Sequence, residues 1–290
     1  MNDSYYGRPI VKPHVWKPFI PWYFWIGGMA GAASVQCVAA RARGDNELAV
    51  VLKRAALAGA LIAPVLLIAD LGVPQRFHLM LRVFKPTSPM NVGSWILSGF
   101  GGAVTASTVA ELLGWERTSR ALEVVTALLG PGLTVYTAVL ISDTATPVWH
   151  EAYETLPFLF AASGVGAAGA VGCLFAPPEQ FGLARRTMIA GAVGTQIAER
   201  AMEHKLGPFL FEPYKTGKGG AFKRVSDFLC LTGGALAVAG GRNTVTTRAA
   251  AACIAVSGMF ERFAVSAAGK QSAKDPKYVV RPQRERLGAS

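Results

Sequence analysis

Apolar residues along this chain gather in long blocks separated by short polar segments. Five blocks, at residues 19–40, 54–71, 92–113, 124–142 and 156–176, each hold about 20 mostly apolar positions, the length a helix needs to cross a bilayer. Three weaker blocks follow at 187–202, 228–241 and 249–268. The first of these contains Gln196, Glu199 and Arg200, and the last contains Glu261 and Arg262. Backbone groups in hydrocarbon must pair within their own segment, which requires helices, and the alternating pattern of a transmembrane barrel is absent. The pattern predicts an all-α integral membrane protein, a bundle of about eight transmembrane helices. Its expected organisation is an interfacial N-terminal segment over 1–18, the transmembrane helical bundle over 19–268 and a basic C-terminal tail over 269–290 that wraps a partner or stays free. Trp16, Trp22, Tyr23 and Trp25 flank the first helix where an interfacial aromatic belt belongs. Pro64 and Pro131 are expected to kink or locally unwind their helices.

Composition supports lipid as the solvent. Of 290 residues 51% are hydrophobic and only 16% charged, where a soluble domain carries about a quarter. The net charge of +11 would suggest nucleic acid in a soluble protein. Here the Lys and Arg lie between apolar blocks, as in proteins that anchor and orient themselves in a membrane, so nucleic-acid binding is set aside. Residues 1–18 lack a short apolar core with a small-residue cleavage site, so a cleavable signal peptide is not expected. Cys37, Cys173, Cys230 and Cys253 are scattered singly through apolar runs, as small buried residues rather than a disulfide framework or cluster ligands.

With eight helices, the two termini and the segments 72–91, 143–155 and 204–227 share one end of the bundle, called end A here. It carries 17 Lys or Arg against 10 at the opposite end, end B, with Arg54 at the head of the second block included. The positive-inside rule places end A in the cytoplasm, a preference that rests on the two tails. The acids are more informative. Asp70, Asp143, Glu199, Glu203, Asp227 and Glu261 all fall toward end A, whereas only Glu111 lies within a comparable run toward end B. Ionisable groups are costly in a membrane and mark proton routes or polar ligand sites, so the six predict a lined cavity. Glu199 and Glu203, one turn apart, should face one way, with Arg200 or Lys205 able to neutralise them. His14, His78, His150 and His204 also belong to end A, none of them deep in an apolar block. A haem in the bundle needs such ligands, so no haem, iron–sulfur cluster or metal is expected in this chain. A histidine near end A suits a quinone carbonyl instead.

Certain segments resemble a known family. Residues 23–33 (YFWIGGMAGAA), 68–77 (IADLGVPQRF), 86–98 (PTSPMNVGSWILS), 130–140 (GPGLTVYTAVL), the turn at 147–149 and 156–164 (LPFLFAASG) are similar, in order, to the NrfD-like family, the membrane subunits of polysulfide reductase and related molybdopterin oxidoreductases. The resemblance implies an eight-helix subunit in the bacterial cytoplasmic membrane that exchanges electrons between a quinone, menaquinone or ubiquinone, and a ferredoxin-like iron–sulfur subunit. A molybdopterin catalytic subunit lies beyond it, as in anaerobic respiration. By motif, Asp70 matches the family's helix-two acid, Tyr136 the tyrosine of its Tyr-Thr pair, and His14 the quinone-contacting histidine before helix one. On that reading Tyr136, His14, Arg76 and Trp16 contact the quinone, and Asp70, backed by Glu199 or Glu203, exchanges protons. Arg76 could instead hold Asp70 ionised. The stretch 5–9 (YYGRP) is similar to relatives associated with formate dehydrogenases. Two other readings use the same residues: a proton or ion transporter with no redox role, and a purely structural membrane anchor.

Overall fold

The computed structural model describes residues 9–14, 16–240, 243–286 and 288, so most of the stretch 5–9 lies outside the described residues. The described residues are almost wholly helical. Eight helices exceed 19 residues: α1 (Phe19–Ala42), α2 (Asn46–Asp70), α3 (Pro89–Leu112), α4 (Glu116–Ser142), α6 (Leu156–Phe175), α7 (Phe181–Leu210), α9 (Gly217–Ala239) and α10 (Thr244–Lys274). Short helices α5 (Pro147–Glu151), α8 (Glu212–Lys215) and α11 (Lys277–Arg286) complete the set at end A, with a 3₁₀ segment at Pro74–Leu81. Four helices, α2, α4, α6 and α10, are long and apolar enough by length and composition to cross a membrane. The chain is an integral membrane protein.

Bonds between helix termini show that the helices alternate in direction. At end A the Lys17 amide donates to Asp70 Oδ1 at 2.8 Å, joining the start of α1 to the last residue of α2. There too, Gln271 of α10 donates to Thr216 just before α9. At end B, Arg41 of α1 meets Glu123 of α4, and the Leu48 amide of α2 donates to Gln180 just before α7. Consecutive helices pair as hairpins (α1–α2, α3–α4, α6–α7, α9–α10), and α1 and α6 lie centrally, each touching most of the others. Small residues set this packing. A Cβ on Gly31 of α1 would collide with the Gly130 carbonyl of α4, and one on Gly191 of α7 would collide with the Gly166 backbone of α6.

Two expectations about helix shape change. The segment 204–227 is not a long loop, because α7 continues to Leu210 and α9 begins at Gly217. Its charges therefore belong to helices, paired across them, which a hydropathy window cannot recognise. Helical dihedrals persist through Pro64 and Pro131, and the backbone break falls at Gly207 (φ 64°) in α7, a left-handed conformation that glycine adopts without strain. Beyond residue 268, α10 runs on to Lys274 and α11 follows, with Tyr278 buried and its hydroxyl donating to Glu212.

Candidate functional site

At end A, ring contacts form one continuous file. His14 stacks on Trp149 (centroids 4.4 Å apart) and touches Trp16 (4.7 Å). Trp16 meets Phe24 edge-on, Phe24 meets Tyr23, and Tyr23 meets Tyr136 at 6.4 Å. Trp149 is the fixed element, fully buried, with its indole N–H donating to the Val265 carbonyl and its ring against Gly269. Lys270 ties the N-terminal segment down by donating to the Trp16 carbonyl at 2.5 Å. His14 and Trp16 thus connect to Tyr136 through Phe24 and Tyr23, and the Lys17 amide, next to Trp16, holds Asp70. Three buried atoms here lack hydrogen-bond partners among the described residues: His14 Nε2, the Tyr23 hydroxyl and Thr137 Oγ1.

Burial, reinforced by the Lys270 charge, lowers the His14 pKa from 6.5 to about 4. The ring is therefore neutral at pH 7. Between pH 6.5 and 4 the unfolded segment binds a proton that the docked one does not, so docking weakens as pH falls through this window. Tryptophan fluorescence of the purified protein should change with a midpoint near pH 4. In His14→Phe, which keeps the ring and removes the titration, that change should vanish.

Beside this file lies an apolar groove of about 790 Å³. Its walls run from Ile68, Phe77 and Met80 near end A to Leu113 and Trp115 near end B. It lies where α2 and α3, although consecutive, pack less closely than the hairpin pairs do. Pro64 and Ala60 both line it; proline has no N–H to offer the carbonyl one turn before it. Ser94 lines the groove, and its neighbour Gly93 packs directly on the Tyr136 ring, so the groove passes within one residue of Tyr136.

The acids do not share one cavity. Glu203 points to the rim and pairs with Lys215, the Glu203 side chain being 45% exposed. Glu199, one turn earlier, is buried against Lys223 at 3.2 Å, and Lys223 also holds Asp227 at 2.7 Å. Glu261 pairs with Arg262, whose guanidinium donates to the Phe160 carbonyl and lies over the Phe160 ring. Lys205 pairs with Glu154, not with Glu199 or Glu203. Arg76 is exposed and, among the described residues, makes no hydrogen bond or ion pair with Asp70, which is satisfied by the Lys17 amide instead. Glu199 stands on α7 while Asp70 ends α2, and among the described residues no direct bond joins them.

Sequence reasoning missed a second buried cluster toward end B. Lys53 is 4% exposed and contacts Glu111 at 2.5 Å, Glu123 at 3.1 Å and Ser119 Oγ at 2.8 Å, while Arg41 takes the other side of Glu123. Glu123 is hidden along the chain because it sits one residue before the fourth apolar block. Glu123 is the last polar residue before its block and Lys53 is followed only by Arg54, and that placement is the signal the sequence carries. Lys223 likewise does not stand out in the sequence, and although Arg262 and the turn at 147–149 do, what Arg262 and Trp149 touch is decided only by the fold.

The sequence profile of the family described as Polysulphide reductase, NrfD, matches residues 10–183, more than half of the chain. No curated protein matches it.

Proposed function

This chain belongs to the polysulphide reductase NrfD family, and from that premise we propose that it is the quinone-binding anchor subunit of a multisubunit oxidoreductase. All eight long helices cross the bacterial cytoplasmic membrane, and the subunit passes electrons between the quinone pool and an iron–sulfur subunit docked at end A. A molybdopterin subunit lies beyond that partner. The alternating directions of the helices support eight crossings, since four crossings alone would strand α1, α3, α7 and α9 inside the bundle without a route between ends.

The observation that carries the reading is the groove. A quinone combines a long isoprenoid chain with a polar ring, and the site must offer an apolar slot that meets polar groups at one end. The groove supplies the slot, open along the bundle's lipid-facing side. Near end A, Ser94 lines the groove, Tyr136 packs against the adjoining Gly93, and Asp70 lies two residues beyond the wall residue Ile68; the unpartnered buried His14 Nε2 and Tyr23 hydroxyl belong to the ring file behind Tyr136. The residues fit menaquinone or ubiquinone. When bound, the quinone supplies the two-electron, two-proton chemistry that side chains lack.

The chain's own residues have narrower tasks. Tyr136, whose ring packs on Gly93 at one end of the file, is the residue we assign to orienting the quinone ring. Neutral His14 offers one ring nitrogen as donor or acceptor without bringing a charge into the site. Asp70, half-buried at the membrane edge and held by the Lys17 amide, exchanges protons between the ring and water at end A. Trp16 and Trp149 fix His14 in place by stacking.

Gly102 lines the groove, and a Cβ added there would meet no atom within 4 Å, so Gly102→Phe fills the slot without disturbing the bundle. Quinone extracted per mole of purified protein should fall on the order of tenfold, as about 1.4 kcal/mol of binding is lost. Asp70→Asn should keep its quinone while quinone-linked turnover drops by roughly 10²-fold. Unchanged quinone content in the first variant, or full turnover in the second, removes the corresponding assignment.

A further inference from the structure

The two ionic clusters between the helices, each built on a buried glutamate and a buried cation with one acid at its edge (Glu111 43% and Asp227 33% exposed), differ in charge parity. Toward end B, Glu111 and Glu123 face Arg41 and Lys53, two acids against two cations. Between α7, α9 and α10, three acids, Glu199, Asp227 and Glu261, share two cations, Lys223 and Arg262. Nearby basic residues do not make up the difference. Arg200 and Arg224 are exposed on the outer faces of α7 and α9, Lys215 is held by Glu203 at the rim, and Lys205 is held by Glu154. The other polar groups around the centre are neutral: Tyr214 of α8, Ser226 and Cys230 of α9, Ser257 of α10, Gln196 of α7 and Ser163 of α6. An uncompensated carboxylate away from water is costly, and such a group ordinarily neutralises by taking a proton.

A second observation points to the same place. Glu261 Oε2 and the Tyr214 hydroxyl are each on residues 2% exposed, and neither has a hydrogen-bond partner among the described residues. Both residues line one small cavity, together with Glu199 and Lys223. Its volume of about 10 Å³ is room for a single water. Unpartnered buried polar atoms around a water-sized space indicate a small polar occupant. Tyr214 belongs to α8, the short helix at end A, so the cavity lies directly beneath the bundle's surface there.

We propose that this centre is a proton-binding site, in which one proton is shared among Glu199, Glu261 and the adjoining Asp227, with one water in the cavity between Glu199 and Glu261, and is exchanged with end A past Tyr214. Binding adds one proton from solvent and leaves the centre neutral; release returns it to solvent and leaves one net negative charge. The three acids and two cations of the site lie outside the 10–183 stretch that matches the family, and the proposal does not depend on the quinone reading.

Infrared spectroscopy of the full chain, purified in lipid nanodiscs at neutral pH, reads this directly. The wild type should show one protonated-carboxyl C=O band that shifts in D₂O. Glu199→Gln, Asp227→Asn and Glu261→Gln each leave two acids against two cations, so each should abolish the band. Lys223→Gln leaves three acids against one cation and should double it. Tyr214→Phe should keep the band and slow its deuterium exchange on the order of tenfold, one hydrogen-bonding link being lost. Variants are compared only where circular dichroism and gel filtration match the wild type, and any one of the three amide variants suffices. Absence of the band in the wild type, its appearance only when sodium is removed, or its persistence in a folded amide variant overturns the proposal.

Discussion

Replacing Lys53 with methionine should destabilise the folded bundle by about 3 kcal/mol, the lower part of the range for breaking a buried ion pair. The methionine keeps the volume of the lysine stem, so the loss is electrostatic. Lys53 donates to Glu111 at 2.5 Å, to the Ser119 hydroxyl at 2.8 Å and to the Ser107 carbonyl at 3.3 Å, and pairs with Glu123 at 3.1 Å. Removing it leaves Glu123, 6% exposed, with Arg41 alone. Two features keep the effect from the top of the range: Arg41 remains, and the Glu111 side chain is 43% exposed and can turn to water. Unfolding titrations in mixed detergent micelles measure the difference. Adding Glu123→Gln to Lys53→Met should recover more than half of it, because the stranded charge is then gone. A double variant no more stable than the single one would mean that packing, not charge, holds this corner.

Gly31→Val should cost about as much, about 3 kcal/mol, by overpacking. The added Cβ meets the Gly130 carbonyl oxygen and Thr134 Oγ1 of α4. A backbone carbonyl cannot retreat as a flexible side chain does, so the central helices must separate. Separation also breaks Ser34 Oγ→Thr126 O and Thr134 Oγ1→Gly28 O, which cross the same seam. Gly27 provides the control on the same helix. A Cβ there meets nothing within 4 Å, so Gly27→Ala should be neutral or stabilise by up to about 1 kcal/mol through helix propensity. The pair, measured by the same titrations, separates close approach from the general effect of losing a glycine.

Much of the architecture is legible along the chain. Asp70 and Asp143 close α2 and α4, as the polar breaks in the pattern predict, because an apolar block ends where a charge first appears. The five strong blocks correspond to α1, α2, α3, α4 and α6. The weaker blocks fall short of their helices: 187–202 extends to Phe181–Leu210, 228–241 begins at Gly217, and 249–268 spans Thr244–Lys274. Each of these helices carries charges that partner across to a neighbour, and a window along one segment counts such a charge as an end. The pattern therefore puts Asp227 at a helix start, although it lies ten residues inside α9.

The acidic group at end A shows where local reading stops. By itself the sequence determined that these residues lie in helices, roughly how deep, and that ionisable groups there need partners, because the cost of charge in hydrocarbon is a property of the residue and its depth. Partner choice is a property of neighbouring helices. Four residues advance a helix by about 6 Å and turn it by about 40°, enough to leave Glu199 against α9 while Glu203 clears the contact and reaches Lys215 at the rim. The tertiary structure alone decided that Asp70 meets Lys17 rather than Arg76, that Trp149 locks His14 and Trp16 into one file, and that three acids converge on two cations. Local pairs such as Lys223 with Asp227 and Glu261 with Arg262 lie close along the chain. Their convergence, like the other outcomes, depends on contacts between residues two dozen or more positions apart, which the pattern along the chain does not encode.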